Sequence, residues 1–181
     1  LDRLAAVSDI ITYEFENVPV AAAERLAAKC PVFPPPKALE AAQDRLVEKR
    51  FINDSGIATA RFHAVDSQSD LEAALADFGG SGVLKTRRLG YDGKGQFRLR
   101  SEADIDAAWD ALGAQVERTG LILEGFVAFQ REVSVVAVRG RDGSFEAWPV
   151  TGNWHVDGVL SASVAPAVLS DAEQQAAIGY A

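Results

Sequence analysis

The residues best suited to chemistry stand in one run, Lys85-Thr86-Arg87-Arg88-Leu89-Gly90-Tyr91-Asp92-Gly93-Lys94-Gly95-Gln96. Glycines at 90, 93 and 95 let the backbone turn its N–H groups toward one point without Cβ obstruction, and Lys85, Arg87, Arg88 and Lys94 surround that point with positive charge. A phosphate chain is the ligand that suits such a loop. Two familiar phosphate loops are excluded by spacing. Lys94 is followed by Gly95 rather than Ser or Thr, and the glycines run G-x-x-G-x-G into a strand-like segment rather than a helix. The same composition also describes a charged hairpin tip exposed to water.

Further along, Leu121-Ile122-Leu123-Glu124-Gly125-Phe126-Val127 is an apolar strand interrupted by one acid and one glycine, and Glu132 opens the next strand. Backbone at Glu124 to Val127 can read the amide-like edge of a purine, and Glu132 can accept from ribose hydroxyls. A lysine, a glycine loop, a strand edge and an acid, in that order, are what a nucleotide held between two small sheets requires. Upstream, Glu14 and Glu16 alternate with Tyr13 and Phe15 at the end of a strand-like run from Ser8. That is where ligands bind in an α/β sheet, although a solvated strand end has the same pattern. Arg45 lies on a charged helix face with Asp44, Glu48, Lys49 and Arg50. The pairs Asp44/Glu48 and Arg45/Lys49 are like-charged at i,i+4, so nothing local explains the cluster, and a ligand for Arg45 is one explanation. His63 reads as a packed or surface histidine, and Cys30 as a small buried hydrophobe.

These residues need elements to hold them. The pattern predicts a helix from Val20 to Lys29 with Pro19 near its first turn, and a short strand Pro31 to Phe33 stopped by prolines. One long helix then runs from Ala38 to Asn53 and stops at Gly56. From about residue 57 to 124 the order is strand (Phe62 to Val65), a helix capped by Ser69 or Asp70 through Phe78, a hairpin of Gly82-Val83-Leu84 and Gln96 to Arg100 around the glycine loop, a helix opened by Ser101, and the strand at Leu121. This is a small α+β module. Glu132 to Arg139 reads as one strand returning through Arg141-Asp142-Gly143-Ser144 to Phe145–Val150, and Asn153 to Val164 as a second hairpin about Asp157-Gly158. A helix follows Ser170. The chain is expected to be incomplete at both ends.

At 181 residues and 48% hydrophobic content the chain can bury a substantial core. A net charge of −8 argues against nucleic acid or an anionic membrane as partner, so its basic residues matter where they cluster. There is no long apolar run and no signal-peptide pattern at Leu1-Asp2-Arg3-Leu4, which predicts a cytoplasmic protein. One cysteine and two histidines offer neither an intrachain disulfide nor a zinc spacing.

Taken together, Ile11-Thr12-Tyr13-Glu14-Phe15-Glu16-Asn17-Val18-Pro19, Gln43-Asp44-Arg45, the Lys85 to Gln96 run, Glu124-Gly125-Phe126 with Arg131-Glu132-Val133-Ser134, and Asn153-Trp154-His155-Val156-Asp157-Gly158 resemble the ATP-grasp enzymes. Within them the closest pattern is that of the 5-(carboxyamino)imidazole ribonucleotide synthases of purine biosynthesis. The resemblance spans essentially the whole chain. It implies an α/β and α+β ATP-grasp fold with residues 1–48 ending a pre-ATP-grasp domain, 49–124 forming the lid domain with the glycine loop, and 125–181 starting the C-terminal ATP-grasp domain.

The implied activity is ATP-dependent carboxylation of 5-aminoimidazole ribonucleotide with bicarbonate, through carboxyphosphate. The resemblance places Arg45, Lys85, Gly90, Tyr91, Asp92, Gly93, Lys94, Gly95, Gln96, Glu124, Gly125, Phe126, Val127, Glu132 and His155 at ATP. It places Glu14, Tyr91 and Asp92 near the ribonucleotide, with Tyr91 and Asp92 in catalytic roles. Mg²⁺ is implied by the ATP chemistry, with ligands beyond Ala181 and none within this stretch. A homodimer and a functional link to the carboxyaminoimidazole ribonucleotide mutase are implied as partners, with neither nucleic acid nor membrane. Two alternatives stay open: another ATP-grasp carboxylase or formyltransferase, and a non-catalytic ATP-binding module.

Overall fold

The computed structural model describes residues 1–90, 94–156 and 158–181. The chain forms two compact units. The first takes in the described residues of 1–90 and 95–126, and the second Lys94 with those of 127–181.

The first unit opens with helices α1 (Asp2–Val7), α2 (Val20–Ala27), α3 (Pro36–Gln43) and α4 (Arg45–Asp54). The strand expected over Ser8 to Glu16 shrinks to a single parallel bridge between Ile11 and Val32. Its hydrogen bonds run from Ile11 N–H to Pro31 O (2.9 Å) and from Phe33 N–H to Ile11 O (3.0 Å). Pro31 and Pro34 to Pro36 have no N–H to donate, so the ladder cannot lengthen. Ala5, Ile11, Leu26, Cys30 and Val32 form a small core against which Tyr13 packs, so Cys30 is indeed a buried apolar group.

The single helix expected from Ala38 to Asn53 is two helices. Asp44 is extended (φ −126°, ψ 115°), and its Oδ1 accepts from the N–H groups of Leu46 (2.9 Å) and Val47 (3.3 Å), capping α4. Just before it, buried Gln43 donates from Nε2 to the carbonyls of Glu16 (2.6 Å) and Val18, which ties the joint to the upstream loop.

Four antiparallel strands follow, β1 (Phe62–Val65), β2 (Gly82–Thr86), β3 (Gln96–Leu99) and β4 (Leu121–Gly125), in the spatial order β1-β4-β2-β3. Helix α5 (Gln68–Asp77) is capped by Ser67, whose Oγ accepts from Asp70 N–H at 3.2 Å, rather than by Ser69 or Asp70 as expected. Helix α6 (Ile105–Leu112) follows a 3-10 turn closed by a capping box of Ser101 and Asp104, and the one-turn helix α7 (Val116–Thr119) leads into β4. Val65, Leu84, Leu99, Leu121 and Leu123 share one sheet face and pack with Leu71, Leu75 and Ala108 as the fully buried core. Each such leucine contributes about 1.5–3 kcal/mol of burial.

In the second unit, β5 (Glu132–Ser134), β8 (Thr151–Val156) and β9 (Val159–Val164) form one antiparallel sheet, and β6 (Ala137–Arg139) pairs with β7 (Phe145–Ala147). The strand expected from Glu132 to Arg139 is therefore split, with its two halves given to different partners. The second hairpin forms over the expected residues, with a shift of register between Trp154 and His155, and Asp157 of its turn lies outside the described residues. Helix α8 (Asp171–Gly179) begins at a capping box of Ser170 and Glu173.

Candidate functional site

Alternation along β2 and β4 determines which side chains face away from the leucine core. Val83 stands opposite Glu124 and Lys85 opposite Ile122, so Lys85 and Glu124 are diagonal neighbours on the outer face of the sheet. Lys85 Nζ donates to Glu124 Oε2 at 3.0 Å. Lys49, from α4, brings a second ammonium to the same oxygen at 3.4 Å. The Lys49 and Lys85 side chains are 15% and 23% exposed and that of Glu124 only 10%. Glu124 Oε1 is buried and accepts no hydrogen bond among the described residues. Two ammoniums against one carboxylate leave a positive charge in excess on a partly dry surface, and a carboxylate oxygen with unused acceptor capacity. Next to it on the same face, Arg98 stands opposite Val83 and lies 4.1 Å over the ring of Phe126.

The stem of the glycine loop is tied from both sides. Thr86 N–H donates to Gly95 O (2.8 Å) and Arg87 N–H to Gly120 O (3.0 Å), while Arg87 O accepts from Arg45 N–H (3.0 Å). The Arg87 guanidinium grips Asp44 with both arms, at 3.0 and 2.7 Å, and Arg88 donates to Gln43 Oε1 at 2.5 Å. Two members of the charged cluster thus find tertiary partners, Asp44 in Arg87 and Lys49 in Glu124. Asp44 is not on the helix face at all; it is the cap and the partner of Arg87.

Above this joint lies a small polar cavity of about 120 Å³, lined by Glu16, Arg45, Glu48, Arg88 and Gly90 among others. Burial holds the Glu48 carboxyl above its ordinary value of 4.5. Arg45 and Lys49 pull it down, and the charges of Glu124 and Glu16 add to the rise.

The residues predicted from sequence fall into groups. Lys85 and Glu124 touch, Gly125 ends β4 with Phe126 just after it, and Gln96 begins β3 opposite Lys85, with Gly95 just before it accepting from Thr86 N–H. Arg45 and Gly90 share the polar cavity, which Glu16 lines; Glu14 is exposed and is not among its lining residues. In the second unit Glu132 and His155 stand together, His155 Nδ1 lying 3.6 Å from Glu132 Oε1. Asn153 Nδ2 donates to Glu132 Oε1 (3.4 Å) and Ser134 Oγ (3.2 Å), and Ser163 Oγ donates to Asn153 Oδ1 (2.9 Å). Lys94 and Val127 are exposed. Tyr91, Asp92 and Gly93 lie outside the described residues. Sequence reasoning missed Lys49 and Asn153 as partners of Glu124 and Glu132. The one available signal was that Lys49 falls one helical turn after Arg45.

Among the described residues no group of three or more His, Cys, Asp or Glu could hold a metal ion, and no helix is long and apolar enough to cross a membrane.

The outer sheet face bears a lysine pair on a buried glutamate beside a glycine-rich hairpin, and comparison with known proteins identifies the class of the chain. Residues 50–181 match the ATP-grasp domain and residues 1–43 the ribonucleotide synthetase preATP-grasp domain; the chain belongs to the ATP-grasp family. More particularly, it is similar to the N5-carboxyaminoimidazole ribonucleotide synthases. That of Brucella melitensis is 53% identical over 98% of this chain and 48% of its own length, and that of Pseudomonas aeruginosa is 48% identical over 91% and 45%. The crystal structure of the Thermus thermophilus synthetase superposes with a TM-score of 0.87 at 49% identity, over 98% of this chain and 47% of that one. The synthase of Aspergillus clavatus in complex with ADP and 5-aminoimidazole ribonucleotide superposes with a TM-score of 0.88 at 26% identity, over 99% and 46%. The chain spans about half the length of the curated relatives it matches.

Proposed function

We propose that this chain is the part of an N5-carboxyaminoimidazole ribonucleotide synthase that holds most of the ATP site and the edge of the ribonucleotide site. The reaction is ATP-dependent carboxylation of 5-aminoimidazole ribonucleotide with bicarbonate. The observation that carries the reading is its likeness, over almost the whole chain, to enzymes of that name, one of them solved with ADP and 5-aminoimidazole ribonucleotide. Lys85, held at Glu124, supplies charge such chemistry needs.

Residues 1–48, 49–124 and 125–181 are read as the end of the pre-ATP-grasp domain, the lid domain and the start of the C-terminal ATP-grasp domain. Arg45, Lys85, Gly90 to Gln96, Glu124 to Val127, Glu132 and His155 are assigned to ATP, and Glu14, Tyr91 and Asp92 to the ribonucleotide. Phosphoryl transfer to a nucleophile as weak as bicarbonate depends on charge neutralisation and in-line positioning more than on covalent participation by the protein. Lys85 and Arg45 supply the first. The main-chain amides of a loop closed over the phosphates supply the second, and closure also keeps water from carboxyphosphate. Asp92, beside Tyr91, is assigned to orienting the substrate amine or moving its proton.

Mg²⁺ is expected with ATP. The described residues do not fit it, so its ligands are assigned to sequence following Ala181 and no step here runs through the ion. A homodimer, a cytoplasmic location and a functional link to the carboxyaminoimidazole ribonucleotide mutase belong to the same reading.

The test uses the full-length enzyme and measures phosphate release from ATP. Aminoimidazole ribonucleotide with bicarbonate should stimulate it, and glycinamide ribonucleotide with formate, or biotin with bicarbonate, should not. Asp92→Asn should collapse turnover while leaving ADP affinity within about twofold, a change of under about 0.5 kcal/mol. Stimulation by another acceptor overturns the assignment, and unchanged turnover removes Asp92 from the chemistry.

A further inference from the structure

Two lysines converge on one glutamate, and only one of them is accounted for by the ATP reading. Lys85 and Glu124 alone would be a neutral pair. An ammonium whose charge is cancelled at 3.0 Å by a carboxylate offers little net field to a phosphate beside it. The second ammonium changes this. Lys49 reaches the same oxygen, Oε2, at 3.4 Å from a different element, the first turns of α4. Within this trio Glu124 is divided between two cations and one positive charge is left over; Glu48, which also interacts with Lys49 and Glu124, stands outside it. The excess falls to the lysine with the freer end. Lys85 is 23% exposed and Lys49 15%, and of the three donors on the Lys85 ammonium only one is engaged by Glu124. Glu124 itself is too deeply buried to recruit a counter-ion from solvent. Its other oxygen, Oε1, is buried without a donor among the described residues, and both cations approach the single atom Oε2.

We propose that Lys49 is a positioning residue for the nucleotide's phosphate chain. It occupies Glu124 so that Lys85 keeps a net positive charge toward phosphate, without touching the nucleotide itself. The inference rests on the assignment of Lys85 to ATP. It explains why a lysine from the helix that also carries Arg45 is buried against a strand glutamate when water would solvate it at no cost. It also makes α4 a source of charge at both of its early turns, with Arg45 at the polar cavity and Lys49 at the glutamate.

The test is calorimetric titration of the full-length enzyme with ADP and, separately, with adenosine, which has the base and sugar but no phosphate. Lys49→Met should weaken ADP about tenfold or more and leave adenosine within about twofold, and the dependence of ADP affinity on salt should become shallower. Lys49→Arg, which restores the charge, should lie within about threefold of wild type for ADP. In turnover, the KM for ATP should rise in Lys49→Met and be restored in Lys49→Arg. If Lys49→Met fails to fold, Lys49→Gln, which can still donate to Glu124, carries the same expectation. Unchanged ADP affinity overturns the proposal. So does an equal loss for ADP and adenosine, since Lys49 would then act on the base or on the fold. A wild-type enzyme that binds adenosine and ADP equally overturns the assignment of Lys85 to phosphate instead, a result distinct from both.

Discussion

Asp44 is the residue whose removal should be felt furthest from its own position. Asp44→Ala deletes an N-cap that accepts from two N–H groups, which costs about 1 kcal/mol. It also deletes a two-armed pair with Arg87, at 3.0 and 2.7 Å. Bonds to charged groups contribute about 1.5–3 kcal/mol when dry, but Arg87 is 24% exposed and can rehydrate, so about 1–1.5 kcal/mol is the reasonable share. The total expected loss is about 2–2.5 kcal/mol, a large part of the stability of an ordinary domain. Asp44→Asn, which caps nearly as well but carries no charge, should cost about half of that. Urea unfolding followed by far-ultraviolet circular dichroism measures both. A double-mutant cycle with Arg87→Met should return about 1 kcal/mol of coupling between the two side chains. A loss below about 0.5 kcal/mol in Asp44→Ala, or additive single mutants, would refute the reasoning that cap and pair share one carboxylate.

Two further outcomes follow from the same joint and its surroundings. Burial raises the Glu48 carboxyl above 4.5, so the native state holds a proton that the unfolded chain has released. Glu48's own contribution to stability is therefore most favourable below the ordinary value and declines as pH rises from 4.5 through the raised one; Glu48→Gln should match wild type in acid and exceed it near neutrality, and parallel pH profiles would count against the burial. Gly120 has φ +66°, and a Cβ there would meet Arg87 Cδ at 2.7 Å, so Gly120→Ala should lower the unfolding midpoint. The backbone alone costs about 1–2 kcal/mol, and an unchanged midpoint would contradict the positive φ.

The small α+β module of β1 to β4 was readable because its strands and its two longer helices have local causes. Val65, Leu84, Leu99, Leu121 and Leu123 alternate as a half-buried sheet must, and Ser101 with Asp104 announces its helix by a capping box. What was not readable came from partners far away in sequence. Nothing near residue 44 says that the helix breaks there, because one helix pattern runs through it. The break is stabilised by Arg87, forty-three residues on. Ile11 and Val32 are apolar enough for a longer strand, but the prolines flanking Val32 leave no donors to extend it. Glu132 to Arg139 was read as one strand because alternation does not reveal that its first half pairs with β8 and its second with β7. Among the candidate residues, Lys85, Arg45 and Glu124 of the first unit and Glu132 of the second could be named from their chemical types alone. Their companions Lys49 and Asn153 could not, since each acts through a neighbour that only the fold supplies.

The two strands that carry Lys85 and Glu124 also carry Leu84 and Leu123, one residue out of step. Sliding β2 or β4 by a single position would turn the leucines to solvent and thrust the charges into the hydrocarbon interior. The same packing that drives this sheet together therefore also sets the alignment of its ionic groups. A substitution deep among the leucines, with no contact to any ligand, is then a plausible route to silencing the opposite surface.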